Sequence, residues 1–199
     1  MKKRVSALIG AVCFMSALSV EAAPKTYYET TLISASGLPY HFSIRSNNAV
    51  KHVATTDDIG PGISDQDLFY TGKFHYYIGA KKTSYQLNGT YNKTAKDFYK
   101  IKTKKGTPSF VVQRSGEGTN RYAHKLYYMH AGKLKKVTST FYGTYNVQYV
   151  SKNKLRVGYY DPQQRRGLVK VSYYKINVKT GKATLEKVTF QQNEKGFNE

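Results

Sequence analysis

Apolar and polar residues alternate with a period of two along most of this chain. Tyr40, Phe42 and Ile44 share one face of such a segment, with polar or charged residues between them. Successive side chains of a β-strand point to opposite faces, so this pattern is typical of half-buried strands. The same alternation recurs at residues 74–78, 145–149, 155–159 and 169–173. Helical periodicity is nearly absent, and the pattern therefore predicts an all-β protein.

Short pairs containing glycine or proline separate these runs and predict turns between strands. The pairs are Ser36-Gly37, Asn88-Gly89, Lys105-Gly106, Ala131-Gly132, Asp161-Pro162 and Thr180-Gly181. One run changes phase at Tyr173, because Tyr174 and Ile176 continue the alternation one residue out of step. A β-bulge inserts one extra residue into a strand, so we predict a bulge near Tyr173.

A weak internal repeat accompanies the alternation. Pairs of tyrosines begin at Tyr27, Tyr76, Tyr127 and Tyr173, at separations of 46 to 51 residues. Three of these pairs precede a turn that contains glycine and lysine, at residues 79–82, 132–133 and 181–182. A period of about 40–50 residues matches one four-stranded propeller blade. We expect antiparallel hairpins in one domain, arranged as a small propeller-like repeat or as a closed meander barrel or sandwich.

The first residues of the chain have the pattern of a secretory signal peptide. Lys2, Lys3 and Arg4 precede an uncharged apolar stretch, and Val20 and Ala22 place small residues at a cleavage site. The apolar stretch is shorter than the about 20 residues that a spanning helix needs, which disfavours an uncleaved anchor. We predict a signal peptide over residues 1–22, a single β-rich domain over 23–190 and a frayed polar tail over 191–199.

The number and position of cysteines indicate the kind of organism and compartment in which the protein is found. The chain has one cysteine, Cys13, which lies inside the predicted signal peptide. The mature chain would then contain no thiol, so its core alone must hold the fold together. Exported proteins without disulfides are commoner in bacteria than in eukaryotes. We therefore expect a bacterial protein that is secreted, either free outside the cell or associated with the cell wall.

The charge balance is the strongest functional signal. Lysine and arginine number 32 against 12 aspartates and glutamates, which gives a net charge of +20 for 199 residues. Such an excess attracts polyanions, and interleaved tyrosines supply rings that stack on bases or sugars. The densest lysine groups surround two predicted turns. They form our predicted binding site for an anionic polymer: Lys100, Lys102, Lys104, Lys105, Lys133, Lys135 and Lys136.

Acidic residues and histidines give weaker patterns. Four aspartates surround a glycine-rich loop, namely Asp57, Asp58, Asp65 and Asp67. Calcium takes about six to eight oxygen ligands, but this spacing matches no EF-hand loop, and we interpret it as a solvated loop. His124 and His130 flank one predicted strand near Glu117, an arrangement that general acid–base chemistry could use. We predict no metal site and no cofactor.

Two functions from different classes fit these observations. The preferred one is a secreted, cationic, non-enzymatic β-domain that binds an extracellular anionic polymer: a cell-wall polymer, an acidic polysaccharide or a nucleic acid. The alternative is a small secreted hydrolase that acts on an anionic polymer and uses the basic surface to guide it. A hydrolase needs carboxylates or histidines that converge in a cleft, so the placement of these residues distinguishes the two.

The predicted export has a direct test. N-terminal sequencing of the protein recovered from the culture medium should begin at Ala23, because the cleavage site ends at Ala22. Recovery of the chain with Met1 intact in the cell pellet alone would contradict secretion.

Overall fold

The computed structural model describes residues 23–118, 121–160, 168–192 and 197. The predicted signal peptide, with Cys13, lies outside the described residues. The described chain forms three antiparallel sheets, of five, five and four strands. Its one helical segment is a short 3-10 turn at Thr56–Asp58. The predicted all-β class with antiparallel strands is therefore confirmed.

Sheet 1 is built around one long central strand. Its members are β1 (Lys25–Ile33), β2 (Pro39–Ser46), β3 (Val50–Val53), β4 (Leu68–Ile78) and β5 (Lys81–Asn92). One edge of β4 is shared by β3 and β2, and β5 pairs with the other edge. The chain passes from β2 to β3 directly over Gly72, where a Cβ would lie only 2.8 Å from the Cα of Ala49. Glycine is required at this crossing, because a side chain would displace the β2–β3 connection.

Sheet 2 repeats this plan in shorter form. It contains β6 (Phe98–Ile101), β7 (Phe110–Gly116), β8 (Tyr122–His130), β9 (Lys133–Lys136) and β10 (Phe141–Gly143). One edge of β8 is shared by β10 and β9, and β7 pairs with the other edge and with β6.

Sheet 3 is a simple meander of neighbouring strands. It contains β11 (Gln148–Ser151), β12 (Lys154–Tyr160), β13 (Val169–Ile176) and β14 (Ala183–Gln191). The register between β13 and β14 shifts between Tyr173 and Tyr174. The bulge predicted from the change of phase is therefore confirmed at that position.

Sheet 2 has apolar side chains buried on both faces. Val111 and Tyr127 lie in one hydrophobic cluster together with Phe42 and Phe74 of sheet 1. Their neighbours Val112 and Leu126 point the opposite way and lie in a second cluster. Leu155, Val157 and Ile176 of sheet 3 complete that second cluster, together with Val147, which directly precedes β11. Continuous apolar runs such as Phe110–Val112 are typical of strands covered on both sides, and they place sheet 2 between the other two sheets.

Three sequence-based expectations need correction. None of the three sheets closes on itself within the described residues, so a closed meander barrel does not form. Asn88-Gly89 was expected at a turn but lies inside β5, opposite Lys73 and Gly72 of β4. The alternation at residues 145–149 is only partly a strand, because β11 begins at Gln148. For Asn88-Gly89 the reason is the long β4–β5 pairing, which continues through both residues and overrides the local turn pattern.

Most predicted turns do join paired strands. Turns containing Ser36-Gly37, Lys105-Gly106, Ala131-Gly132 and Thr180-Gly181 connect β1–β2, β6–β7, β8–β9 and β13–β14. Asp161-Pro162 lies outside the described residues. From the predicted tail the structure describes Gln191, which ends β14, Gln192 and Phe197. The Phe197 ring is buried and stacks on Tyr145 with ring centroids 5.2 Å apart.

Truncation of a buried side chain on β8 tests how much the packing between sheets 2 and 3 stabilises the protein. We expect Leu126→Ala to lower the free energy of unfolding by about 2–5 kcal/mol, because Leu126 is fully buried between sheets 2 and 3. Leu185→Ala on β14 is the matched control. Its side chain is 52% exposed, and the expected loss is below about 0.5 kcal/mol. If urea unfolding showed the same loss of unfolding free energy in both variants, that result would contradict the burial of Leu126 between sheets 2 and 3.

Candidate functional site: a pole of lysine-rich turns

Six connections between strands lie at the same end of the three sheets. In an antiparallel meander, alternate connections fall at alternate ends of the sheet. The connections β1–β2 and β4–β5 therefore share an end of sheet 1, as do β6–β7 and β8–β9 in sheet 2, and β11–β12 and β13–β14 in sheet 3. We call this end the turn pole and define it by residues 33–39, 79–82, 102–109, 131–136, 151–154 and 177–182.

Hydrogen bonds between the sheets hold these turns at one end. The Ser109 N–H donates to the Ile33 carbonyl at 2.8 Å, and the Ile33 N–H donates to Ser109 Oγ at 2.7 Å. The Asn153 N–H donates to Thr107 Oγ1 at 3.2 Å, which joins the turns of sheets 2 and 3. A third link runs from the Thr138 N–H to the Gly181 carbonyl at 2.9 Å. The turn pole is therefore one surface made by all three sheets.

The turn pole is uniformly cationic. Its six segments contain twelve lysines and no aspartate or glutamate. Most of these lysines are exposed, and Lys136 and Lys154 are half-buried. One of them is neutralised by a neighbour outside the pole, since Lys154 Nζ lies 2.7 Å from Glu186 Oε2. The twelve are Lys81, Lys82, Lys102, Lys104, Lys105, Lys133, Lys135, Lys136, Lys152, Lys154, Lys179 and Lys182.

The lysines predicted from sequence around the first turn line a single groove. Lys100, Lys102, Lys104 and Lys105 surround a space of about 370 Å³ between the β6–β7 turn and the end of β1. Lys100 differs from the other three, because its Nζ donates a hydrogen bond to the Thr31 carbonyl of β1. Lys100 thus fastens β6 to β1, while the remaining lysines of this groove are exposed to solvent.

The second predicted group lies on β9 and its turn, at the same pole. Lys133 lines a groove of about 320 Å³ together with Lys81 and Lys82 of the β4–β5 hairpin. Lys135 is exposed and Lys136 half-buried farther along β9. Two lysine groups that are about 30 residues apart in sequence are therefore brought to one surface, because β6–β7 and β8–β9 turn at the same end of sheet 2.

Sequence reasoning did not assign Lys81 and Lys82 to the predicted site, although a signal for them was present. Both follow the Gly79 turn in one of the glycine–lysine repeats. In the structure these three repeats are the β4–β5, β8–β9 and β13–β14 hairpins, and Gly79, Gly132 and Gly181 all have positive φ angles. The repeat therefore marks equivalent turns in three sheets, each of which places lysine at the turn pole.

Acidic residues collect at the opposite end of sheets 1 and 2. Asp58 Oδ2 accepts hydrogen bonds from the N–H and hydroxyl of Thr55, both at 2.9 Å. Asp67 is buried, and its Oδ2 accepts from the Ser64 N–H at 2.8 Å and from Asn92 Nδ2 at 2.7 Å. Local donors occupy these carboxylates. Among the described residues, no group of three or more histidine, cysteine, aspartate or glutamate side chains is arranged to hold a metal ion.

The histidines and Glu117 do not form the pair considered from sequence. His124 lies opposite Arg114 in the β7–β8 ladder, whereas His130 lies opposite Lys133 near the turn pole. His124 is 0% exposed. Asp97, which is affected by the same Arg114 charge as His124, is only 9% exposed. The hydroxyl of Tyr99 lies 3.4 Å from His124 Nδ1. This cluster is closed to substrate, so it does not provide accessible acid–base groups.

Burial perturbs the pKa values of both groups. Burial raises the pKa of Asp97 to about 6, although the Asn92 N–H and the Arg114 guanidinium act in the lowering direction. Burial, reinforced by the nearby Arg114 charge, lowers the pKa of His124 to about 4. Both side chains are therefore held uncharged in the folded protein near pH 5, whereas in the unfolded chain both would be charged.

These two groups should make opposite contributions to the pH dependence of stability. Between pH 4 and 6, the folded state binds the Asp97 proton and the unfolded state binds the His124 proton, so the two effects nearly cancel. In Asp97→Asn the histidine effect remains, and unfolding free energy should rise with pH by about 1 kcal/mol per unit relative to wild type. In His124→Gln it should fall with pH by a similar amount. If urea unfolding gave the same dependence of unfolding free energy on pH for both variants, that result would contradict the opposite contributions of Asp97 and His124.

Comparison with known proteins gives no relative from which a function could be transferred. The sequence matches no protein-family model, and no curated protein or solved structure shows significant similarity to it. In the part of the chain that the structure describes, no helix is long and apolar enough to cross a membrane. The functional argument therefore rests on the turn pole itself.

Proposed function

We propose that this protein is a secreted, non-enzymatic β-domain that binds an extracellular anionic polymer through the turn pole. The observation that carries the proposal is the sorting of charge: five of the six turns, from all three sheets, contribute twelve lysines to one surface, and none of the six contributes an acid. A polymer with many anionic groups gains from such a surface because it releases counterions at each contact. Cell-wall polymers, acidic polysaccharides and nucleic acids share this chemistry.

The opposite charges at the two ends support binding in one orientation. Asp57, Asp58 and Asp65 lie in the loop between β3 and β4, at the end away from the turn pole. A polyanion is repelled there and attracted to the lysines, so the field of the protein guides the polymer toward the turns. The exposed lysines keep their long side chains free to follow a flexible ligand, which suits a polymer of irregular shape.

The hydrolase alternative receives less support. Its catalytic groups would have to face the bound polymer, but Asp97 and His124 are buried and lie away from the turn pole. Among the residues that the structure describes, the exposed acidic ones are at the far end of sheets 1 and 2 or on sheet edges. The one carboxylate that the structure pairs with a turn-pole lysine, Glu186, is held by Lys154. A basic surface of this kind, without an exposed pair of acid and base groups, fits binding better than general acid–base hydrolysis.

For the architecture we propose the sandwich-like alternative over the propeller-like one. The support for this choice is that Val111 and Val112, adjacent on β7, belong to two different hydrophobic clusters shared with sheets 1 and 3. Stacked sheets bury both faces of a middle sheet in this way. The glycine–lysine repeat would then mark stacked layers.

Binding should depend on where the lysines lie and not only on their number. We expect Lys104→Gln, Lys105→Gln and Lys133→Gln combined to weaken binding to heparin. We also expect them to reduce the slope of log affinity against log salt by about 2 to 3, because each contact contributes about 0.7–0.9. The control combines Lys51→Gln, Lys93→Gln and Lys96→Gln, which remove the same charge from exposed positions away from the turn pole.

The paired variants separate a local site from a general charge effect. The control should change the salt slope by less than about 1, since its lysines do not contact the polymer. Equal effects of the two triple variants would show that net charge alone attracts polyanions. Absence of wild-type binding near ~50 mM salt would overturn the proposed function.

A further inference from the structure

A second cationic cleft lies on the outer face of sheet 1, away from the hydrophobic clusters. It encloses about 490 Å³ and is lined by Arg45 of β2, Lys73, His75 and Tyr77 of β4, Lys82 of β5 and the Ser46–Asn48 connection. None of the described residues that line it is acidic. Lys82 lies at the border of the turn pole, but the other charged groups of the cleft belong to the face of the sheet.

The structure holds Arg45 in a fixed position at this cleft. Its Nε donates to Ser43 Oγ at 2.8 Å and its Nη2 donates to the Gly79 carbonyl at 2.9 Å. The guanidinium also lies over the ring of Tyr77, with 4.6 Å from Cζ to the ring centroid. A guanidinium held by two hydrogen bonds and a ring loses little freedom when it binds an anion, so the cleft is preorganised.

Positive groups surround His75 from three strands. Arg45 lies directly opposite it on β2, Lys73 precedes it by two residues on β4, and Lys82 approaches from β5. Burial and the charges of Lys82 and Lys73 lower the pKa of His75. Tyr77 also lies beside His75, and Ala23, which the predicted cleavage makes the N-terminal residue, contributes its α-amino group to the lining of the cleft. Glu29 is on the same face but on β1, beyond β2, and it lies 3.4 Å from His41.

We propose that this cleft is a binding site for a single oxyanion group, such as a sulfate or phosphate ester, and that binding is coupled to protonation of His75. This site shares only Lys82 with the turn pole and does not depend on the proposed polymer function. Arg45 supplies a fixed planar donor, Lys73 and Lys82 supply mobile charges, and His75 supplies a donor that becomes a cation once the anion is present.

The coupling follows from the surroundings of His75. In the free protein, the neighbouring cations oppose a further positive charge on the imidazole. A bound oxyanion neutralises them and favours the charged ring, so the pKa of His75 rises on binding and a proton is taken up. By linkage, the anion binds more tightly as pH falls through this range, by up to about tenfold for each unit of pKa increase.

Inorganic sulfate is the appropriate probe, because its charge stays constant between pH 5.5 and 7.5, the range of about one unit around the usual histidine pKa. Sulfate titrations of the full mature protein, followed by NMR of the histidine ring signals, should shift the His75 signals and raise the His75 pKa. Affinity should be several-fold higher at the lower pH. Parallel titrations with methyl sulfate and methyl phosphate would show which ester the cleft prefers.

Two histidine variants make the coupling specific. In His75→Gln the remaining sulfate affinity should no longer depend on pH. In His41→Gln, on the same face but paired with Glu29, the pH dependence should persist. Arg45→Gln should weaken sulfate binding at both pH values. The turn-pole variant of Lys104, Lys105 and Lys133 should leave sulfate binding at His75 unchanged, which separates this proposal from the polymer function.

Two experimental outcomes would overturn the proposal. Unchanged His75 signals in saturating sulfate would show that the cleft does not take an oxyanion. Persistence of the full pH dependence in His75→Gln would assign the coupling to another group. Because His75 and His41 are both partly exposed and outside the hydrophobic clusters, their variants should unfold at wild-type urea concentrations, so the binding results can be compared directly.

Discussion

Sheet 2 can be stable only when both of its faces are covered, because β7 and β8 carry apolar side chains on both. Val111 and Tyr127 need sheet 1, while Val112 and Leu126 need sheet 3. One buried polar group of this sheet is matched across the boundary with sheet 1: Tyr76 of sheet 1 donates its hydroxyl hydrogen to Gln113 Oε1 at 2.8 Å. The chain has a single cysteine, so no intramolecular disulfide can replace this double burial.

Contacts between the sheets also determine where charge collects. Each hairpin places its turn at one end of its own sheet, but only the contacts between sheets bring the turns of all three to a common surface. The Ile33–Ser109 and Thr107–Asn153 hydrogen bonds fix this alignment. Lysine repels lysine, so a surface of twelve lysines costs stability unless a ligand or solvent ions screen them. That cost is the reason to interpret the turn pole as functional.

The protein presents positive charge in two different forms. Lysines of the turn pole are mobile and exposed, which suits a long ligand with many equivalent charges. Arg45 is instead fixed by Ser43, Gly79 and Tyr77, and this geometry suits one anionic group at one position. His75 adds a proton-dependent charge to the second form only. Asp97 and His124 belong to neither form, because both side chains are buried away from the protein surface.

The sequence by itself determined the all-β class, most of the turns, the bulge at Tyr173 and the abundance of positive charge. These are local properties: alternation with a period of two, glycine at left-handed turns and the count of lysines all act within a few residues. Tertiary structure decided which faces of sheet 2 are covered, why Asn88-Gly89 is not a turn, and where the charges meet. Lys81 and Lys133 reach one groove, and Arg45 meets His75 and Lys82, only through pairing between strands distant in sequence. Such pairings depend on register and packing across the whole chain, which no short segment encodes.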